Sequence, residues 1–291
     1  LHVRSRRQRQ MCIRDRLNLR LDTIDNPRSQ RVRTLVNLSR RSFRLKQGLL
    51  LVEGPQACGE LLRFYPDVVR DVYVEVGAPS PAIQVAREAL GVTSWVHPVT
   101  PSVMKLFAPA AQGIAATAQL SLLPSEKLPS PEILNQGVWA VCARVQDPGN
   151  LGTIIRIADA CGLNGVLALA GCADPSSPKV IRASAGSLFH LPVYSGASFE
   201  ALAELNEKNG GCLVGLSGGA VTDLPAFTAS SSVAASPLFI CLGNEAQGLS
   251  GEEIALCNET IAIPMWGKAE SLNVATAAAI ALHAIATARA R

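Results

Sequence analysis

Three short stretches of this sequence combine polar side chains with glycine in a way that suits a ligand site. The first is VQDPGNLGTIIRIADACG, residues 145–162. Pro148 and Gly149 turn the chain out of an apolar run, Asn150 stands where it can cap the following helix, and Gly152 permits close approach to the backbone. Arg156 falls on the second turn among Ile154, Ile155, Ile157 and Ala158. A guanidinium among such neighbours needs an anionic partner, either a carboxylate such as Asp147 or Asp159 or a phosphate. The second stretch, LFICLGNEAQGLSGEE at 238–253, runs from an apolar strand into Gly243, Asn244 and Glu245. Glu245 is there either a solvent-facing turn carboxylate or an acceptor for a ligand or an arginine, while Ser250 and Glu253 have capping-box spacing. The third, TIAIPMWGKAESLNVATAAAIALHAIA at 260–286, stops a strand at Pro264 and carries Met265, Trp266, Gly267 and Lys268 in a loop. Ser271, read as an N-cap, and Asn273 then begin a long alanine-rich helix, where free N–H groups and the positive dipole end lie.

Regular elements must hold these loops. From Val138 the runs VWAVCARV, GVLALAG, CLVGLS, PLFICLG and TIAIPM are apolar at nearly every position, with helices expected at 151–161, 198–207, 250–257 and 271–288. Strands buried on both faces imply a parallel sheet covered by helices. Ligands of such sheets bind beyond the carboxyl ends of strands, which points to the loops after 145, 242 and 264. Neither GxGxxG nor GxxxxGK[ST] is present, so the dinucleotide-binding and P-loop readings lack their phosphate loops. Ahead of this region, 28–120 alternates helices with the strands LLLVEG, RDVYVE, VTSWVHPV and GIAATAQL, a small α/β domain with bounds 21–120. Residues 121–136 (SLLPSEKLPSPEILNQ) read as a linker and 137–291 as the second domain.

The 291 residues are 48% apolar, enough to bury a full core without cross-links. The eight cysteines stand singly, without a CxxC pair, and there are four histidines, so no metal site is expected and free thiols fit a reducing compartment. Charge is uneven: residues 1–46 carry 14 Lys/Arg and 3 Asp/Glu, the remainder 13 and 20. A basic arm suggests a polyanionic partner, most simply nucleic acid; a solvated, disordered tail is the plain alternative for residues 1–20. Residues 1–16 lack an apolar period and read as a non-native extension, with an organelle transit peptide as the competing reading. No run has the makeup of a membrane span.

In this order the three loops resemble the three motifs of the SpoU (TrmH-like) RNA ribose 2′-O-methyltransferases of the SPOUT superfamily. The matching residues are Asn150 and Arg156, then Gly243, Asn244 and Glu245, then Ser271, Leu272 and Asn273, and KVIRASAGSLFHLPV at 179–193 matches the family's middle segment. Residues 28–120 look like the L30e-like substrate-binding domain that often precedes this module. The resemblance implies a deep trefoil knot in the C-terminal α/β domain. It also implies bent S-adenosylmethionine held around Leu216, Gly243, Ile263 and Leu272, and a cytoplasmic homodimer acting on ribosomal or transfer RNA, the L30e-like domain favouring ribosomal. Helices 150–161 and 271–288 are the candidate dimer faces. No metal is implied.

The catalytic residues carried over are Asn150, Arg156, Glu245, Ser271 and Asn273. A guanidinium stays protonated and is a poor base, so Arg156 suits orientation of a phosphate and stabilisation of developing alkoxide charge. Glu245 is then expected to hold Arg156, Ser271 and Asn273 to fix the loop and bond the ribose or Arg156, and Asn150 to anchor the first loop. Basic residues in 28–46 face RNA in this picture, and Arg182 faces either RNA or an ion-pair partner. The rivals are an inactive RNA-binding protein of the same fold and a base-directed enzyme of the same superfamily.

Overall fold

The computed structural model describes residues 22–134 and 136–290; the 1–20 extension lies outside them. In chain order the first elements are α1 (Gln30–Asn37), α2 (Arg41–Gln47), β1 (Leu49–Glu53), α3 (Pro55–Phe64), β2 (Val69–Glu75), α4 (Ser80–Ala89), β3 (Val96–Val99), α5 (Pro101–Phe107) and β4 (Ile114–Gln119). Then follow α6 (Pro131–Leu134), β5 (Val138–Cys142), α7 (Pro148–Ala160), β6 (Gly165–Ala168), α8 (Pro178–Ala183), β7 (Val193–Ser195), α9 (Phe199–Asn209), β8 (Cys212–Leu216) and β9 (Thr222–Asp223). The last are α10 (Leu224–Ala229), β10 (Leu238–Leu242), α11 (Gly251–Leu256), β11 (Glu259–Ala262) and α12 (Val274–Arg289). They form two compact units, one of residues up to 122 with 176–189, the other of 123–175 with 190–291.

The first unit is a four-stranded sheet in the order β1-β4-β2-β3, mixed because β2 and β3 run parallel while β4 opposes both β1 and β2. Ser29 caps α1 by accepting from the Val32 N–H, and Gly48 ends α2 in the left-handed region that glycine adopts without strain. Val32 and Leu35 of α1 and its C-cap Leu38 meet Val103, Met104 and Phe107 of α5 over Leu51, Tyr73 and Ala115 of the sheet. Residues 176–189, sequence-distant, complete this unit. Arg44 donates from Nε to Ser176 Oγ at 2.9 Å, and Arg182 Nη1 lies 3.6 Å from Glu53 Oε2. Of its two expectations, Arg182 therefore meets the ion pair. Burial pushes the Glu53 carboxyl up, against the lowering effect of the Ala110 N–H and Arg182.

The second unit is a seven-stranded sheet in the order β7-β6-β5-β10-β8-β11-β9, parallel at every pairing. β5 and β10 are buried at every position, as their unbroken apolar runs require. Trp139, Leu167, Leu213, Phe239 and Cys241 form the core on one face. The edge strands β7 and β9 are too short to leave a pattern in the sequence. Within the stretch read as a linker, Leu134 at the end of α6 is buried in this core. Among the described residues no helix is long and apolar enough to cross a membrane.

Candidate active site

Strands β5, β10, β8 and β11 are neighbours and run in one direction, so their carboxyl ends line one edge of the sheet. Leu216 ends β8, Gly243 follows β10 and Ile263 follows β11 along that edge. All three motif loops emerge there.

The first loop leaves β5 through Arg144, whose φ of 56° lies in the left-handed region. Asp147, not Asn150, is the N-cap of α7: its Oδ1 accepts from the Asn150 N–H at 2.9 Å, with Pro148 at the favoured first position. Asn150, three residues into the cap motif, thereby has its side chain released for other work. Its Nδ2 donates to Glu245 Oε1 at 3.1 Å and its Oδ1 accepts from Asn273 Nδ2 at 3.1 Å.

The second loop is a tight reversal. Asn244 and Gly248 exchange backbone hydrogen bonds of 3.0 and 2.9 Å, and Asn244 Oδ1 accepts from the Ala246 and Gln247 N–H groups. Gly243 is obligatory there, because an added Cβ would fall on the backbone of Gly248 and Leu249. Arg144 clasps the loop from below. Its Nη2 donates to Gly248 O at 3.1 Å, its Nη1 pairs with Glu253 of the Ser250–Glu253 capping box, and its carbonyl accepts from Asn244 Nδ2 at 3.0 Å. Glu245 accepts from the Asp147 N–H at 3.1 Å, the Gln146 N–H at 3.4 Å and Asn150 Nδ2. Partial burial pushes its carboxyl up, but these bonds and its own N–H outweigh that and hold it below the usual carboxylate range.

The third loop ends at Asn273, which is the N-cap of α12: its Oδ1 accepts from the Ala275 and Thr276 N–H groups at 2.9 and 3.2 Å. Ser271, expected as the cap, lies two residues ahead and is exposed. The difference is one of register: α12 begins at Val274, so the orphan N–H groups meet Asn273 and Ser271 lies outside the helix.

Glu245, Asn150 and Asn273 thus form one hydrogen-bonded chain through all three motifs. Arg156 is outside it. The expected Glu245–Arg156 bond is absent because Glu245 is occupied by the first loop, and the Asp147 and Asp159 alternatives fail likewise. Asp147 caps α7, and Asp159 Oδ2 lies 2.7 Å from His190 Nδ1. Among the described residues Arg156 makes no hydrogen bond or ion pair. Helical periodicity explains why its apolar sequence neighbours mislead: Leu151, Ile154, Ile155 and Ala158 turn inward, while Thr153 and Arg156 face solvent.

Beside this network lies an apolar cavity of about 530 Å³, bounded by Ile263, Pro264, Met265, Trp266 and Leu272 together with α10 and α12. Its size is within the roughly 300–1,000 Å³ of small-ligand sites. Ile263 and Leu272 line it; Leu216 and Gly243 stand on the same sheet edge but do not. Arg144 escaped sequence reasoning, which offers Asp147 as a partner for Arg156 and not as the helix cap that it is. Asp147 had a legible signal in Asp before Pro at a helix start, whereas a left-handed arginine leaves none.

The SpoU rRNA Methylase family model matches residues 137–283. An uncharacterized tRNA/rRNA methyltransferase of Synechocystis sp., slr1673, is 40% identical over 143 residues, 49% of this chain and 50% of that protein, so this match spans about half of each. The 23S rRNA (guanosine(2553)-2′-O)-methyltransferase RlmP of Bacillus subtilis is 31% identical over 89% of this chain and 97% of its own length. The crystal structure of the SpoU methyltransferase AviRb from Streptomyces viridochromogenes, in complex with AdoMet, superposes with a TM-score of 0.75. It is 28% identical over 90% of this chain and 99% of that one.

Proposed function

Since the chain belongs to the SpoU rRNA methylase family, whose fold its second unit has, we propose that it transfers a methyl group from S-adenosylmethionine to a ribose 2′-hydroxyl of RNA, ribosomal RNA before transfer RNA. The observation that carries this reading is the Glu245–Asn150–Asn273 chain, which ties the three motif loops together beside an apolar cavity. The residues fit the cofactor. Ile263 and Leu272 offer apolar walls for an adenine, on the sheet edge where Gly243 follows β10.

S-adenosylmethionine bound there supplies an electrophilic methyl group on a sulfonium. The protein's part is to position the ribose and manage one proton. Arg156, exposed and unengaged, is available to a phosphate beside the target ribose and to negative charge developing on its 2′-oxygen. Glu245, Asn150 and Asn273 work as positioning residues: they fix the loops and the start of α12, whose N–H groups would otherwise be unsatisfied. Ser271 is free to bond the ribose, being no cap. Arg156 is not the proton acceptor, since a guanidinium stays protonated and is a poor base.

The chain is further read as a homodimer. Exposed Ile280 on α12 and half-buried Ile157 on the adjoining α7 support that surface. The first unit is read as the RNA-recruiting domain, its basic residues on α1 and α2 supporting this. Cytoplasmic location is supported by the free thiols of the seven cysteines among the described residues.

The test is transfer of labelled methyl from S-adenosylmethionine to unmodified ribosomal RNA, followed by nucleoside digestion. A labelled 2′-O-methyl nucleoside is expected. Label on a base would overturn the ribose assignment, and cofactor binding with no transfer to any RNA would favour an inactive relative.

A further inference from the structure

In the first unit an aromatic stack runs from the core to the surface at the sheet's edge strand. Register places Tyr73 opposite His97, and alternation puts Asp71, Tyr73, Trp95 and His97 on one face, the face that α1 and α5 cover. The His97 ring stacks on Tyr73 with centroids 5.3 Å apart at 21°, and on Trp95 with centroids 6.3 Å apart at 22°. Tyr73 and His97 are buried, at 2% and 3% exposure, whereas Trp95 is 55% exposed. The stack therefore ends in an indole open to solvent.

His97 is fixed on both sides. Its Nε2 lies 2.7 Å from Asp71 Oδ1, and Arg31 Nη1 lies 3.0 Å from both ring nitrogens. The Trp95 backbone is held too, its carbonyl accepting from the Val72 N–H at 2.9 Å and its N–H donating to Thr93 Oγ1 at 3.1 Å. Arg31, which reaches the same His97 ring, projects from α1, which bears a second exposed arginine, Arg33, with exposed Arg28 just ahead of it. An aromatic platform and a guanidinium, held by one ring between them, supply the chemistry that takes an unpaired base on the platform and its phosphate on the cation.

We infer that Trp95 and Arg31 form a subsite for one unpaired nucleotide of single-stranded RNA, with Trp95 stacking on the base and Arg31 contacting the phosphate. The subsite rests on the reading of the chain as an RNA-modifying enzyme and adds where, outside the methyl-transfer site, the RNA is gripped. Being stacking-based, it is tolerant of base identity. Asp71 and His97 are positioning residues that keep the indole and the guanidinium in one geometry.

The experiment is binding of a fluorescein-labelled, unstructured oligoribonucleotide to the full chain, over a range of salt. Trp95→Ala is expected to weaken binding by roughly tenfold and Trp95→Phe by much less. Arg31→Gln is expected to reduce the slope of log K against log salt by about 0.7 to 1. The portion of indole emission that Trp95→Phe removes should be quenched on binding. Trp95 is surface-exposed, so Trp95→Ala should fold, and Trp95→Phe serves if it does not. Unchanged affinity in Trp95→Ala and unquenched Trp95 emission, with methyl transfer intact, would overturn the subsite and leave the proposed function standing. Quenching without methyl transfer to any RNA would support the subsite and count against the enzymatic reading.

Discussion

Asn273 and Asn150, 123 positions apart in sequence, share a 3.1 Å side-chain hydrogen bond in which Asn273 donates from Nδ2 to Asn150 Oδ1. Each amide does two jobs. Asn273 uses its oxygen to cap α12 and its nitrogen to reach Asn150, which in turn donates to Glu245. An asparagine suits both positions because donor and acceptor sit on one planar group.

The two jobs of Asn273 separate by substitution. Asn273→Ala removes the cap and should cost about 1 kcal/mol of stability. Asn273→Asp keeps an acceptor for the Ala275 and Thr276 N–H groups but has no N–H for Asn150, so stability should hold while methyl transfer falls. Thermal unfolding and single-turnover transfer measure the two; equal activity in Asn273→Asp and the parent would remove the link from the mechanism.

Glu245 gives a pH signature. Its folded carboxyl is held below its usual range, so its contribution to stability is fully present above the unfolded pKa and is lost as pH falls through the folded one. Glu245→Gln should therefore cost stability near neutrality and converge with the parent in acid. Unfolding midpoints of both proteins across the acid limb check this; parallel curves would contradict the assignment.

Among the described residues Arg156 is exposed and makes no hydrogen bond or ion pair that its loss would break. Arg156→Ala should leave stability within about 0.5 kcal/mol and cofactor affinity intact, while transfer falls by about 10²-fold or more. Arg156→Lys should recover little, since an ammonium does not reproduce the planar fork. Full activity in the alanine variant would take Arg156 out of the reaction.

At Gly243 the constraint is steric. Gly243→Ala drives a methyl into the backbone of Gly248 and Leu249, and should destabilise by about 1–3 kcal/mol with weakened cofactor binding. Calorimetric titration with S-adenosylmethionine and a thermal melt measure both effects; parental values in the two assays would mean the loop yields freely.

What the sequence made legible follows from how local each signal is. The buried strands β5, β8 and β10 announce themselves by unbroken apolar runs, and the Ser250–Glu253 capping box by its spacing. The residues of the site are legible by type, but their bonding is not. Whether Glu245 meets Arg156 or Asn150 depends on which of two faces of α7 each occupies, and on a helix start that Pro148 and Asp147 set three residues earlier than expected. A similar shift of register moved the α12 cap from Ser271 to Asn273. Arg144 was invisible because its grip on the second loop depends on a left-handed backbone.

The packing of residues 176–189 against β1 also bears on synthesis. Glu53 and the β1 surface wait for Arg182 and α8, which leave the ribosome only after β5, α7 and β6 of the other unit have been made. The amino-terminal unit cannot be finished in the order in which it is translated. A chain stalled or truncated before residue 176 would carry an uncovered flank where α8 belongs.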